Sequence, residues 1–142
     1  MLDIKFIKEN LELVSSNIKN RNAKADAKLV VDLYTKKINL QTALDKLKNQ
    51  RNENAAKMKA KLSNEERERL IEEGKSLKNE ITKLESEERL VDDAYNLEMM
   101  KIPNLTHKDT PIGDTDKDSR ELRKVGEIPN FSFKPRDHVE LA

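Results

Sequence analysis

The chain has 142 residues, of which 39% are charged and only 4% aromatic, with no Trp; so little aromatic bulk excludes one deep core and leaves either disorder or long, solvated helices. The formal net charge of +1 selects no partner by its total, and the absence of Cys excludes a disulfide framework and a thiolate metal site. The opening Met1-Leu-Asp-Ile-Lys lacks the apolar run of a signal peptide, and no stretch approaches the ~20 apolar residues of a membrane span, so a soluble, cytoplasmic protein without a membrane partner is expected.

Taken in chain order, the first element is a helix from Asp3, a suitable N-cap, to about Asn20. Ile7, Leu11, Val14 and Ile18 recur at helical spacing and make one apolar stripe that requires a partner. Asn20-Arg21-Asn22 reads as a break, and residues 1–24 form a short N-terminal helix and link. Asp26 caps a second helix whose seam steps by three and four through Val30, Leu33, Lys37, Leu40, Leu44, Leu47, Arg51, Asn54, Met58 and Lys61. That is a heptad pattern with mostly apolar a and d positions, uninterrupted by Gly or Pro over about 36 residues, or on the order of 54 Å. Ser63-Asn-Glu-Glu66 is a capping-box sequence and starts a third helix. Its seam runs through Leu70, Gly74, Leu77, Ile81, Leu84, Glu88, Val91, Tyr95, Glu98 and Ile102, and Pro103 ends it.

Two long heptad helices joined by a few residues fold back as an antiparallel hairpin. The predicted fold is therefore all-α: a long antiparallel two-helix coiled-coil hairpin over residues 25–102, with the short N-terminal helix at its base. Counting outward from the turn sets Lys37 near Glu88, as a salt bridge, and Arg51 near Gly74. Residues 103–142 carry four Pro and two Gly without helical period and read as an irregular connector, with weak strand signals at Leu122–Val125 and Phe131–Phe133.

Charge is distributed unevenly along the hairpin. Between Lys36 and Lys61 there are eight cations against two anions, a net +6, and between Glu65 and Glu98 six cations against twelve anions, a net −6. One reading is that opposite charges at flanking positions orient the limbs. The other is that the basic surface near the turn meets an anionic partner. Arg51, Lys57, Lys59 and Lys61 crowd toward the turn with only Glu53 among them, and Arg67 and Arg69 follow it; the candidate contact residues are Lys46, Lys48, Arg51, Asn52, Lys57, Lys59, Lys61 and Arg67. Cations far from any core suit phosphate contact. With almost no aromatic residues among them, base stacking is not expected, and the target would be a structured backbone read by shape.

No catalytic constellation is present. There is no Gly-rich phosphate loop and no Ser/His/Asp set. His107 and His138 lie in the connector, where an ordinary hydrogen-bonding role outweighs metal binding. The carboxylates of the third helix read as a solvated face, and Tyr95, Met99 and Met100 as packing residues.

Several local features resemble the bacterial-type seryl-tRNA synthetase family in its N-terminal region. Met1-Leu-Asp-Ile-Lys-Phe-Ile-Lys-Glu-Asn10 is similar to the family's opening, with Leu11 in the place of the usual helix-breaking Pro. Arg51-Asn52 resembles the family's Arg-Asn pair, followed here by Ala55-Ala56 rather than Ser-Lys. Ile102-Pro-Asn104 is similar to its helix exit, Pro111-Ile-Gly113 to its Val-Pro-x-Gly turn, Gly126 to the Gly of the next strand, and Lys134-Pro-Arg-Asp-His-Val-Glu-Leu141 to the short strand and turn leading to the catalytic domain. The resemblance implies an arm that binds the long variable arm and elbow of serine tRNA. It further implies a homodimer in which one subunit's arm serves the other's active site, and a parent enzyme that attaches serine to tRNA using ATP with Mg2+. The catalytic motifs would lie in a domain outside this chain, so no cofactor and no aminoacylation are expected of it. The competing class is a coiled-coil spacer or protein-interaction hairpin without RNA binding.

Overall fold

The computed structural model describes residues 1–60, 63–127 and 129–141. Five α-helices are present among them: α1 (Ile4–Glu9), α2 (Leu11–Asn20), α3 (Ala27–Lys57), α4 (Asn64–Lys101) and α5 (His138–Leu141), with a 3-10 turn at Asp116–Asp118. The architecture is the predicted one: α3 and α4 pack along each other as a two-helix hairpin, and α1 and α2 sit at its base.

The starts of α1, α3 and α4 are each fixed by a side chain. Asp3 accepts the Lys5 N–H at 2.7 Å, and Asp26 accepts those of Lys28 and Leu29 at 2.9 and 3.0 Å. Ser63 and Glu66 form the reciprocal capping box, the Ser63 hydroxyl accepting the Glu66 N–H and the Glu66 carboxylate accepting the Ser63 N–H. These bonds satisfy donors that a helix N-terminus otherwise leaves unpaired. At the far end of α4, Ile102 has already turned to extended backbone, with φ −69° and ψ 117°, as the residue before Pro103 must.

The core is concentrated at the base. Ile7, Val14, Ile18, Ala27, Val30, Met99 and Ile102 form one buried cluster, with Phe6, Leu11, Val31 and Tyr95 packed around it. The apolar stripe of the N-terminal segment is thus buried against both ends of the hairpin. Beyond the base the limbs hold together by a single seam in which Leu40, Leu44, Leu77, Ile81 and Val91 are buried.

Five expectations need correction. The N-terminal segment is two helices, not one: Asn10 leaves helical geometry at φ −124°, ψ 42°, and its side-chain N–H and backbone N–H both donate to the Phe6 carbonyl. A short amide side chain that bonds its own preceding turn competes with helix continuation, so the break forms with Leu11 in the place of Pro. Helix α3 ends at Lys57 rather than running to Lys61; Met58, Lys59 and Ala60 continue as tight turns, while Lys61 lies outside the described residues. The interhelix register differs by about one turn. Lys37 pairs with Asp92, not Glu88, and Gly74 faces Asn54, not Arg51. Non-helical chain advances up to ~3.3 Å per residue against 1.5 Å in a helix, so counting the link as if it were helix misplaces every layer beyond it. In the seam of α4, Met99 is the buried residue rather than its neighbour Glu98. Finally, no strand forms among the described residues. Leu122–Val125 and Phe131–Phe133 are exposed irregular chain, and the end of the Lys134–Leu141 segment is the short helix α5. Alternation alone did not supply a sheet partner, without which a strand has no ladder to join.

Candidate nucleic-acid interface

The distal half of α3 presents its cations along a regular helix, so their directions follow from spacing. Lys46 and Lys57 are eleven residues apart, about three turns, and share one face. Arg51 and Asn52 lie three and four residues after Lys48, Ala55 lies four and three after them, and the four share another. The groove beside Lys57 is lined by Ala60, Glu66, Arg69, Leu70 and Glu73, which places Lys57, and with it Lys46, on the flank where α4 carries carboxylates. Lys48 bonds Glu85 at 2.9 Å on the opposite flank. The residues singled out from sequence are therefore divided: Lys48, Arg51 and Asn52 on one side of the seam, Lys46 and Lys57 on the other, Lys59 in the turn, and Arg67 in the first turns of α4.

Partway along α3, Lys36 and Lys37 are occupied. Lys36 bonds Glu87 at 2.9 Å. Lys37 donates to Asp92 and lies 5.5 Å from the centre of the Tyr95 ring, which in turn packs 5.8 Å from Tyr34. The hydrogen bond to Asp92 raises the Lys37 ammonium above its ordinary pKa, and burial raises that of the Tyr95 phenol. Toward the turn this pattern stops. Among the described residues no ion pair engages Lys46, Arg51, Lys57, Lys59 or Arg67, all of which are exposed. At the tip, Glu66 is spoken for by the Ser63 bonds, which hold its carboxyl below the usual carboxylate range.

A second polar constellation, not singled out from sequence, joins the base to the connector. Asn17, buried on α2, accepts from the Thr106 N–H and hydroxyl, both at 3.0 Å, and donates to the Asn104 carbonyl at 3.2 Å. Arg21 donates to the same carbonyl at 2.8 Å, and Asn22 to Asp114 at 2.6 Å. Asn17 sits one step before Ile18 on the apolar stripe, the one signal that would have found it. His107 accepts the Asp109 N–H at 3.3 Å in an exposed turn, and among the described residues no group of His, Asp and Glu is placed to hold a metal ion. No helix of the structure is long and apolar enough to cross a membrane.

A capped two-helix arm with a basic distal surface, rooted in two short helices, has counterparts among known proteins. The family model described as the seryl-tRNA synthetase N-terminal domain matches residues 1–106. This chain belongs to that family. The serine–tRNA ligase of Treponema denticola is 46% identical over 141 residues, covering 99% of this chain and 33% of the relative, and that of Rubrobacter xylanophilus is 40% identical over the same length. Among solved structures, seryl-tRNA synthetase from Pyrococcus horikoshii, crystallised with ATP, superposes with a TM-score of 0.70 at 25% identity, over 83% of this chain and 27% of that one. The chain thus spans about a third of the length of its curated serine–tRNA ligase relatives.

Proposed function

We propose that this seryl-tRNA synthetase N-terminal domain is a tRNA-binding arm, and that its distal cations hold the sugar-phosphate backbone of serine tRNA at the long variable arm and elbow. The observation that supports this most is the change in ion pairing along the hairpin. Lys36, Lys37 and Lys48 are neutralised by α4 carboxylates; Arg51, Lys57 and Lys59, nearer the turn, stand exposed with no such partner among the described residues. Charges needed only to orient the limbs would be paired throughout. A phosphate surface requires the opposite, because bound backbone supplies the counter-charge and releases its own cations. The contact set is drawn from Lys46, Lys48, Arg51, Asn52, Lys57, Lys59, Lys61 and Arg67. In the parent enzyme the arm would serve the active site of the other subunit of a homodimer, while ATP and Mg2+ act in the catalytic domain that attaches serine.

The rival reading, a spacer or protein-interaction hairpin, draws support from the three interhelix ion pairs, which do orient the limbs. Fluorescence anisotropy separates the two. The arm should bind a tRNA with a long variable arm more tightly than an ordinary tRNA, and binding should weaken as salt rises. Equal affinity for both tRNAs favours the spacer. Replacing Arg51, Lys57 and Lys59 together by Ala should weaken binding while the helical circular dichroism signal is unchanged.

A further inference from the structure

The hairpin seam repeats every seven residues, so contacts at one level indicate which residues meet two heptads away. Near the base, Lys37 of α3 hydrogen-bonds Asp92 of α4. Fourteen residues toward the tip on each limb, the equivalent positions hold Arg51 and Lys78. The same flank carries the Lys48–Glu85 ion pair; one heptad nearer the tip its equivalents are Ala55 and Lys78. The register holds at this level, since Asn54 lies against Gly74, its Oδ1 3.3 Å from where a Gly74 Cβ would stand. Where two levels nearer the base join a cation to a carboxylate, this one sets Lys78 beside Arg51 and Ala55.

Neither cation has a carboxylate neighbour on its own face. Leu47, Lys48, Asn54 and Ala55 are the near neighbours of Arg51 at three and four residues, and Gly74, Lys75, Ile81 and Thr82 those of Lys78. Glu53 and Glu80 stand two residues away and so point elsewhere. Both cations are exposed, and the next one, Lys75, is held only by an exposed contact to Glu72 at 3.4 Å. The opposite flank is different in sign. There Glu66, Glu73, Glu80 and Glu87 recur every seven residues along α4, facing Lys57 in the tip groove and Lys36 in its ion pair. An acidic row of that length repels a phosphate backbone.

We infer that Arg51 and Lys78, one from each limb, form a clamp for a single RNA phosphate, with Asn52 and Lys75 beside it, so that the RNA lies on this flank of the hairpin and not on the Lys46–Lys57 flank. The inference rests on the tRNA-arm reading above and adds a contact from α4, the limb whose net charge is negative. Two like charges set against each other cost stability in the free arm; a phosphate between them removes the repulsion.

The test uses residues 1–142 and a long-variable-arm tRNA, with anisotropy read from about 50 to about 200 mM salt. Lys78→Gln should weaken binding roughly threefold to tenfold and lower the slope of log affinity against log salt by about one. Lys83→Gln, on the far side of α4, should change neither. Lys78→Glu should weaken binding further yet raise the melting temperature, because Arg51 then faces a carboxylate; a merely structural lysine would not move the two readouts in opposite directions. The clamp is overturned if Lys78→Gln leaves affinity and slope unchanged, or if Lys57→Gln costs more than Lys78→Gln. Loss of any preference for the long-arm tRNA in the unaltered chain would instead remove the arm reading on which it rests.

Discussion

Asn17 offers a demanding test of how the base is held. It is 6% exposed and makes three side-chain bonds: two accepted from Thr106 and one donated to Asn104. In Asn17→Ala the Asn104 carbonyl keeps its bond from Arg21, and the Thr106 hydroxyl can rotate to water. The Thr106 N–H, in a part-buried bond, loses its acceptor. A net hydrogen bond contributes about 1 kcal/mol, and of the three bonds lost the Asn104 and hydroxyl ones are partly replaced, so the substitution should destabilise by about 1–2 kcal/mol, a fall in melting temperature of roughly 2–8 °C. Urea unfolding followed by circular dichroism gives the first quantity, and hydrogen exchange a second. The Thr106 amide should lose its protection while amides at Leu44 and Ile81, far along the seam, keep theirs. A loss below about 0.5 kcal/mol, with Thr106 still protected, would show that these bonds are exchanged for water at no cost and that the connector is held by something else.

Further outcomes follow from the seam and its caps. The raised Lys37 and Tyr95 pKa values mean that both groups hold their protons more tightly when folded, so their contribution is complete below their unfolded values near pH 10 and is lost as pH rises through the folded ones; Asp92→Asn should flatten the alkaline fall in the urea midpoint relative to the parent chain. Glu66 behaves oppositely. Its depressed pKa stabilises above the ordinary carboxylate value and is lost on acidification, a dependence that Ser63→Ala should reduce, together with about 1 kcal/mol of stability, both visible in thermal melts. Gly74→Leu would drive a side chain into Asn54 and should destabilise by about 2 kcal/mol. Gly74→Ala should be close to neutral, since about 1 kcal/mol of helix propensity is offset by the 3.3 Å contact.

Much of the fold was legible because two strong local signals agree with the tertiary arrangement. Heptad spacing located Val30, Leu40, Leu44, Leu77, Ile81 and Val91, which are all buried, and Asp26 and Ser63 marked helix starts by chemistry that acts within four residues. What failed depended on longer range. The register required the length of the non-helical link, which periodicity does not contain, so Lys37 was assigned to Glu88 when Asp92 holds it. The break at Asn10 turns on one amide bonding backward, a feature that an apolar stripe passing through Ile7, Leu11 and Val14 conceals. The basic character of α3 was legible, but its division between two flanks was not, because that depends on which α4 residues lie opposite. Asn17 shows in the sequence only as a polar residue beside Ile18 on an apolar stripe, and the partners that give it a role lie eighty-odd residues away.

The core cluster draws Val30 from the start of one limb and Met99 and Ile102 from the end of the other, so the hairpin is sealed at the point where its two ends meet. Opening the tip therefore costs only the local seam layers, frees to water the Asn54 amide N–H that is buried without an acceptor among the described residues, and leaves the base intact. Stability is graded along the arm, with the costliest opening at the root and cheaper opening in the seam layers farther from it. The surface proposed to meet RNA is thereby the part most easily remodelled, while the root of the arm resists.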